Sequence, residues 1–200
     1  MDVRAKILEE ATRLFAAQGV DGTALQQIAD AVGVAKPSLL YHFPSKDALH
    51  RSVLEHLLSR WSEIVPHLLR AVAREDRFDA IIDATIEFFA ADPDRARLLL
   101  REALDRPVEM REILVANAAP WLTLIAESIE KAKAAGRMRA DVDAEAYVVQ
   151  VIHLVIGTFT TGITLQPLLS GNGGKKRGAA VDARLIRELK RIARSAVIKE

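Results

Sequence analysis

Between Ala31 and Ser45 the chain carries no acidic residue, yet that window holds Lys36, Ser38, Tyr41 and His42, and Lys46 follows one position beyond it. A cation, two hydroxyls and an imidazole on one short helix are suited to a groove lined with phosphates. Lysine neutralises phosphate, while hydroxyls and backbone N–H groups fix register. The competing reading is a packing helix with incidental polar residues. Other chemistries have less support. There is no G-x-S-x-G, H-E-x-x-H or Gly-rich phosphate loop. The absence of cysteine excludes disulfides, thiolate metal sites and a thiol nucleophile. His50 and His56 do not share a helical face well enough for a metal site. The paired acids Asp92/Asp94 and Glu127/Glu130 read as helix caps or solvated groups. No catalytic residue, metal or cofactor is expected, and an enzyme is set aside.

The net charge of +1 carries no argument for nucleic acid, so the case rests on where the bases sit. Half of the 200 residues are apolar and 5% aromatic, a mix that suits packed helices. Helical periodicity runs through almost every segment, and no stretch alternates as a strand does. A first helix begins at Asp2, with Val3, Ile7, Ala11, Leu14 and Phe15 as its apolar stripe, and stops at Gly19. Thr23 and Gln26 have capping-box spacing and open a second helix, which ends near Ala31. Val32-Gly33-Val34 is a tight turn into a third helix, Ala35 to His42. Two short helices joined by such a turn and packed on a longer one make a helix-turn-helix unit. Ser45 caps a fourth helix that runs to Pro66. Later helices are expected at Phe78–Ala91, Pro93–Asp105, Val108–Ala135 (kinked or split by Pro120), Asp143–Leu165 and Ala180–Ile198. Ser170 to Gly178 reads as a flexible loop.

The run TALQQIADAVGVAKPSLLYHFPSKDAL, Thr23 to Leu49, resembles the signature of the TetR (tetracycline repressor) family of regulators. Thr23, Ile28, Ala29, Gly33, Val34, Ser38, Leu39, His42, Phe43, Ser45, Lys46 and Leu49 match in register, and Ile7–Gly19 is similar to the family's first helix. The resemblance implies an all-α fold: a three-helix helix-turn-helix domain, residues 1–50, then a helical ligand-binding and dimerisation domain, residues 51–200. It implies DNA-binding roles for Thr23, Lys36, Pro37, Ser38, Tyr41, His42 and Lys46, with Lys46 on a backbone phosphate. Ile28, Ala29, Leu39 and Phe43 are then core. Departures stand at Leu40, where a tyrosine is common, at Ala35 in place of a serine cap, and at Ala24 in place of a hydroxyl that meets phosphate.

Beyond about Leu58 the resemblance fades. It implies that the last two helices of each subunit form a four-helix interface. Independently, Tyr147–Leu165 is apolar nearly all round, and Gly157, Thr161 and Gly162 are small enough to admit a second helix closely. A central buried helix is the simpler alternative. A bilayer span is disfavoured by Gln150, His153 and four threonines, so no membrane contact is expected. Trp61, Phe88, Phe89, Met110, Trp121, His153 and Phe159 are candidate ligand-cavity residues, each of which can equally be core.

The N-terminus has no signal-peptide pattern, so a cytoplasmic protein is expected. The expected function is a ligand-responsive transcriptional regulator. It would be a homodimeric repressor, released from a pseudo-palindromic operator in double-stranded DNA by a small apolar effector. The alternative is a helical protein-interaction module without sequence-specific DNA binding.

Overall fold

The computed structural model describes residues 2–71, 77–169 and 183–198, and among them the fold is all-α. The helices are α1 (Val3–Gly22), α2 (Leu25–Val32), α3 (Lys36–His42), α4 (Lys46–Ala71), α5 (Arg77–Ala91), α6 (Pro93–Asp105), α7 (Pro107–Asn117), α8 (Ala119–Ala134), α9 (Ala144–Leu165) and α10 (Ala183–Val197). Extended pairing among these residues is limited to the Met138–Ile198 bridge, where the Arg139 N–H donates to the Val197 carbonyl. The expected Ser170–Gly178 loop lies outside the described residues.

Local chemistry accounts for most helix ends. Asp2 accepts the Arg4 N–H at 3.3 Å and caps α1, whose Ile7, Ala11, Leu14 and Phe15 are buried, whereas Val3 stays exposed. Gly19 breaks α1 at φ 77°, a conformation that side chains with a Cβ avoid, and one further turn carries the chain to Gly22. The second helix starts later than its sequence suggests. Its cap is Ala24, whose N–H donates to Gln27 Oε1 at 2.8 Å, while Gln26 turns to Asp30. Gly33, at φ 79°, closes α2, and the N–H groups of Gly33 and Val34 donate to Ala29 O.

Two prolines act differently from one another. Pro66 does not end α4, which continues to Ala71. Pro120 sits in the first turn of α8, where its missing N–H has no helical partner to lose. There the expected Val108–Ala135 helix is split into α7 and α8, bent by 61°. In α9 the hydroxyls of Thr158, Thr160 and Thr161 donate to Leu154 O, Ile156 O and Gly157 O, so their polarity is absorbed by the helix itself.

A single hydrophobic cluster extends from Ile7 in α1 to Val197 in α10. Helix α4 threads it: Leu49 and Val53 pack under α1, and Trp61 and Val65 are buried farther along. Helix α6 also touches both ends of the molecule, packing on α1 and on α9.

Candidate DNA-binding face and ligand cavity

Helix α3 is held from beneath. Leu39 and Phe43, together with Ile28 and Ala29 from α2, have no more than 2% exposure, and Arg4 lies over the Phe43 ring at 5.1 Å. This anchoring turns Lys36, Pro37, Ser38 and Tyr41 to solvent. Tyr41 is 86% exposed, and its ring meets His42 edge-on at 5.5 Å; His42 itself is half-buried. An aromatic ring presented so fully to water, beside a lysine and a serine and with no acid on its helix, is placed to meet a polar, anionic surface.

Two expected DNA contacts face the other way. Thr23 is 1% exposed, and its hydroxyl donates to Gly19 O at 2.7 Å, satisfying a carbonyl freed where α1 breaks. The Lys46 ammonium donates to Val20 O at 2.9 Å, Thr23 O at 3.2 Å and Asp21 O at 3.4 Å. All three of its donors are engaged, so in this structure Lys46 is a positive cap on the C-terminal end of α1. Nothing local in the sequence signals this, because the partners lie more than twenty residues upstream.

Between α1–α3 and the rest of the chain lies a polar seam. His50 Nε2 in α4 is 2.8 Å from Glu102 Oε2 in α6, with both side chains almost fully buried. The contact is an ion-pair distance without an aligned hydrogen bond. Phe15 of α1 meets the His50 ring edge-on at 5.8 Å. Nearby, Arg106 Nη2 donates to Asp21 Oδ1 at 2.7 Å, and a Cβ added at Gly19 would lie 3.2 Å from Arg101 Nη1. Sequence reading missed this seam. One signal was available: His50, Leu54 and Leu58 recur every fourth residue, which places the imidazole on a buried stripe.

On the far side of the seam, residues of α4–α10 surround a cavity of about 840 Å³. Trp61, Phe89, Met110 and Trp121 line it, and His153 stands exposed at its edge. Phe88 and Phe159 do not line it. Phe88 is buried against Trp61, with the Arg95 guanidinium over its ring at 4.6 Å, and Phe159 packs on Phe89. The two indoles are 5.8 Å apart, centroid to centroid. Tyr147, also in the lining, donates to Ala193 O at 2.6 Å, and burial pushes its phenol pKa well up, so it stays neutral.

Helix α9 shows a third kind of surface. The stretch Ala144–Gly162 is long and apolar enough to cross a membrane, yet 22% of its most apolar window is buried inside the subunit. Val149, His153 and Thr161 are exposed at four- and eight-residue spacing, with half-buried Gly157 between them. A Cβ at Gly157 would meet nothing within 4 Å. Gly162 departs from expectation: it is buried within its own subunit and is not on that outward stripe.

A glycine-turned helix pair with an acid-free outer face, joined by one long helix to a helical bundle enclosing a cavity, defines the helix-turn-helix class of regulator folds. The chain matches the model of bacterial regulatory proteins of the tetR family over residues 7–53, and that of the tetracyclin repressor-like C-terminal domain over residues 75–189. The chain belongs to the TetR family.

It is 35% identical over 108 residues to the HTH-type transcriptional regulator RutR of Escherichia coli (strain K12), a match covering 54% of this chain and 51% of that one. The chain thus spans about half the length of that relative. It is 30% identical over 151 residues to the HTH-type transcriptional repressor KstR2 of Mycobacterium tuberculosis, covering 71% and 72% of the two chains. The fold is also that of a Saccharomonospora viridis protein crystallised in complex with choline, with a TM-score of 0.71 at 20% identity and 98% coverage of both chains.

Proposed function

We propose that the chain is a ligand-responsive transcriptional regulator, acting as a repressor that binds a pseudo-palindromic operator as a homodimer. The observation that carries this reading is α3: its core residues face inward and its lysine, serine, tyrosine and proline face outward with no acid among them. Lys36, Pro37, Ser38, Tyr41 and His42 meet the major groove and its flanking phosphates. A genome-wide binding selection tests this. The expected result is an inverted repeat, with affinity falling steeply as salt rises because each neutralised phosphate adds about 0.9 to the log–log slope. Recovery of no inverted repeat would sink the reading.

The outward stripe of α9 supports a second copy of the chain as its cover, with Gly157 and Thr161 in the interface and Gly162 behind it. That cover also makes a membrane unnecessary and suits a cytoplasmic protein. Gly157→Leu has room inside its own subunit, so the fold should persist while a side chain stands where a partner helix approaches. Sedimentation should show a monomer that no longer binds the operator; a dimer of wild-type stability removes Gly157 from the interface.

Helix α4 supports a route from ligand to DNA. Its Lys46 end is fastened to α1 and its Trp61 lines the cavity. A small, mostly apolar effector that displaces Trp61 tilts the rod and respaces the two α3 helices. It can do so only by binding the DNA-incompetent state more tightly. Operator DNA must then weaken effector binding by the same factor, typically ~5–150-fold.

A further inference from the structure

The charged side chains in the described lining of the cavity are all cationic. Among the described residues none that lines it is Asp or Glu, whereas Lys131, Arg137 and Arg194 all belong to its wall. The three converge on one end. Lys131 is in the last turn of α8, Arg137 follows that helix, and the Met138–Ile198 bridge brings the end of α10, with Arg194, alongside. Lys131 has Glu127 at 3.6 Å, and Arg194 is paired with Asp79. The Arg137 guanidinium has no ion-pair or hydrogen-bond partner among the described residues. A planar cation left in this way at the end of an apolar cavity is fitted to a carboxylate, which it can hold through two parallel charge-assisted hydrogen bonds.

A second, independent observation lies toward the other end of α8. Trp121 is buried, and its Nε1–H has no acceptor among the described residues. An indole nitrogen can only donate, so a ligand oxygen that accepts is what this site lacks. Lining residues on α8 run from Trp121 to Ala132, about 16 Å along the helix at 1.5 Å per residue. The space is therefore long, apolar in the middle, donor-bearing at one end and cationic at the other.

We propose that the effector is an anionic amphiphile. Its elongated hydrocarbon body lies along α8, a carboxylate-type head sits at Arg137, and an accepting oxygen on the body faces Trp121. This rests on the sensor reading above. A quaternary ammonium finds the wrong partners here: cations at one end, no carboxylate in the wall among the described residues, and indole rings packed against each other instead of spread around a guest.

Both tryptophans of the chain line the cavity, so intrinsic fluorescence reports its occupancy. The full chain is titrated with dodecanoate, dodecanol and dodecyltrimethylammonium, each below its micelle concentration. Dodecanoate should bind about tenfold more tightly than dodecanol, and the ammonium most weakly. Arg137→Gln, a change at an exposed and unpartnered side chain, should bring dodecanoate down to the affinity of dodecanol. The inference is overturned by equal binding of acid and alcohol, by the ammonium binding best, by an acid preference that survives Arg137→Gln, or by no fluorescence response to any probe. The operator selection on ligand-free protein stands apart: no operator with an intact acid preference sinks the regulator reading, and an operator with no acid preference sinks this inference alone.

Discussion

The two ends of this molecule use the amphipathic helix in opposite ways. In α1–α3 the helices close around an apolar core and put their polar groups outside: Tyr41 is 86% exposed while Leu39, two residues earlier, is fully buried. In the cavity-bearing half, the helices leave a space of about 840 Å³ between them and put their tryptophans and cations around it. A surface that reads DNA must be rigid relative to its own core. A sensor must keep packing incomplete until something fills it. The seam of His50, Glu102, Asp21 and Arg106 joins the two regimes.

That contrast can be broken at the seam first. His50→Ala removes one partner of a buried pair and leaves the Glu102 carboxylate, 2% exposed, facing an empty site. The expected loss is about 3 kcal/mol of stability, from the cavity left by the ring and a buried polar group facing it, read by denaturant unfolding. A loss below about 1 kcal/mol would mean that the two regions do not depend on this pair.

Lys46→Ala probes the rigidity of the DNA-binding end alone. Three carbonyls at the end of α1 lose their charged donor, at about 2 kcal/mol, or roughly 4–8 °C in melting temperature. An unchanged melting temperature together with a flatter salt slope for DNA binding would restore Lys46 as a phosphate contact.

Tyr41→Ala sharpens the comparison from the outside. So exposed a ring contributes little to folding, so the melting temperature should hold while operator affinity falls by about 1 kcal/mol, roughly fivefold. A binding titration paired with thermal melting separates the two.

The smallest expected effect lies on α4. Burial, then the charges of Arg60, Arg4 and Arg95, hold the His56 pKa below its ordinary value of 6.5. As pH falls through 6.5 the unfolded chain takes up the proton before the folded one, so stability drops until the folded value is also passed. His56→Gln should leave stability above that pH unchanged and flatten the decline below it. Solvent screening keeps the difference under about 0.5 kcal/mol. Parallel acid-limb melts of the two proteins check it.

What could be read from the chain follows the same division. Helix ends set by neighbours in sequence were legible: the starts at Asp2 and Asp143, Ser45 as a cap, Gly33 as the turn, Pro120 as the split. The core of the helix-turn-helix was legible as well, because Ile28, Leu39 and Phe43 lie in a pattern of fixed spacing. Roles that depend on distant partners were not. Lys46 and Thr23 look like surface polar residues until the broken end of α1 is placed beside them, and Glu102 reads as one more exposed acid on a helix until His50 arrives opposite. Pro66 shows the reverse error: a strong local stop signal overridden by packing along α4.

The position of α6 has a consequence for how the chain is made. The DNA-binding end rests on Glu102 and Arg106, about fifty residues downstream of His50. At about 5–20 residues per second, a ribosome delivers that support roughly 3–13 s after α1–α3 have emerged. During that interval His50 and Asp21 are without their partners, and the newborn reading end lacks one of the walls it has in the finished protein. Its final stability arrives late in synthesis, together with the half of the protein that encloses the cavity.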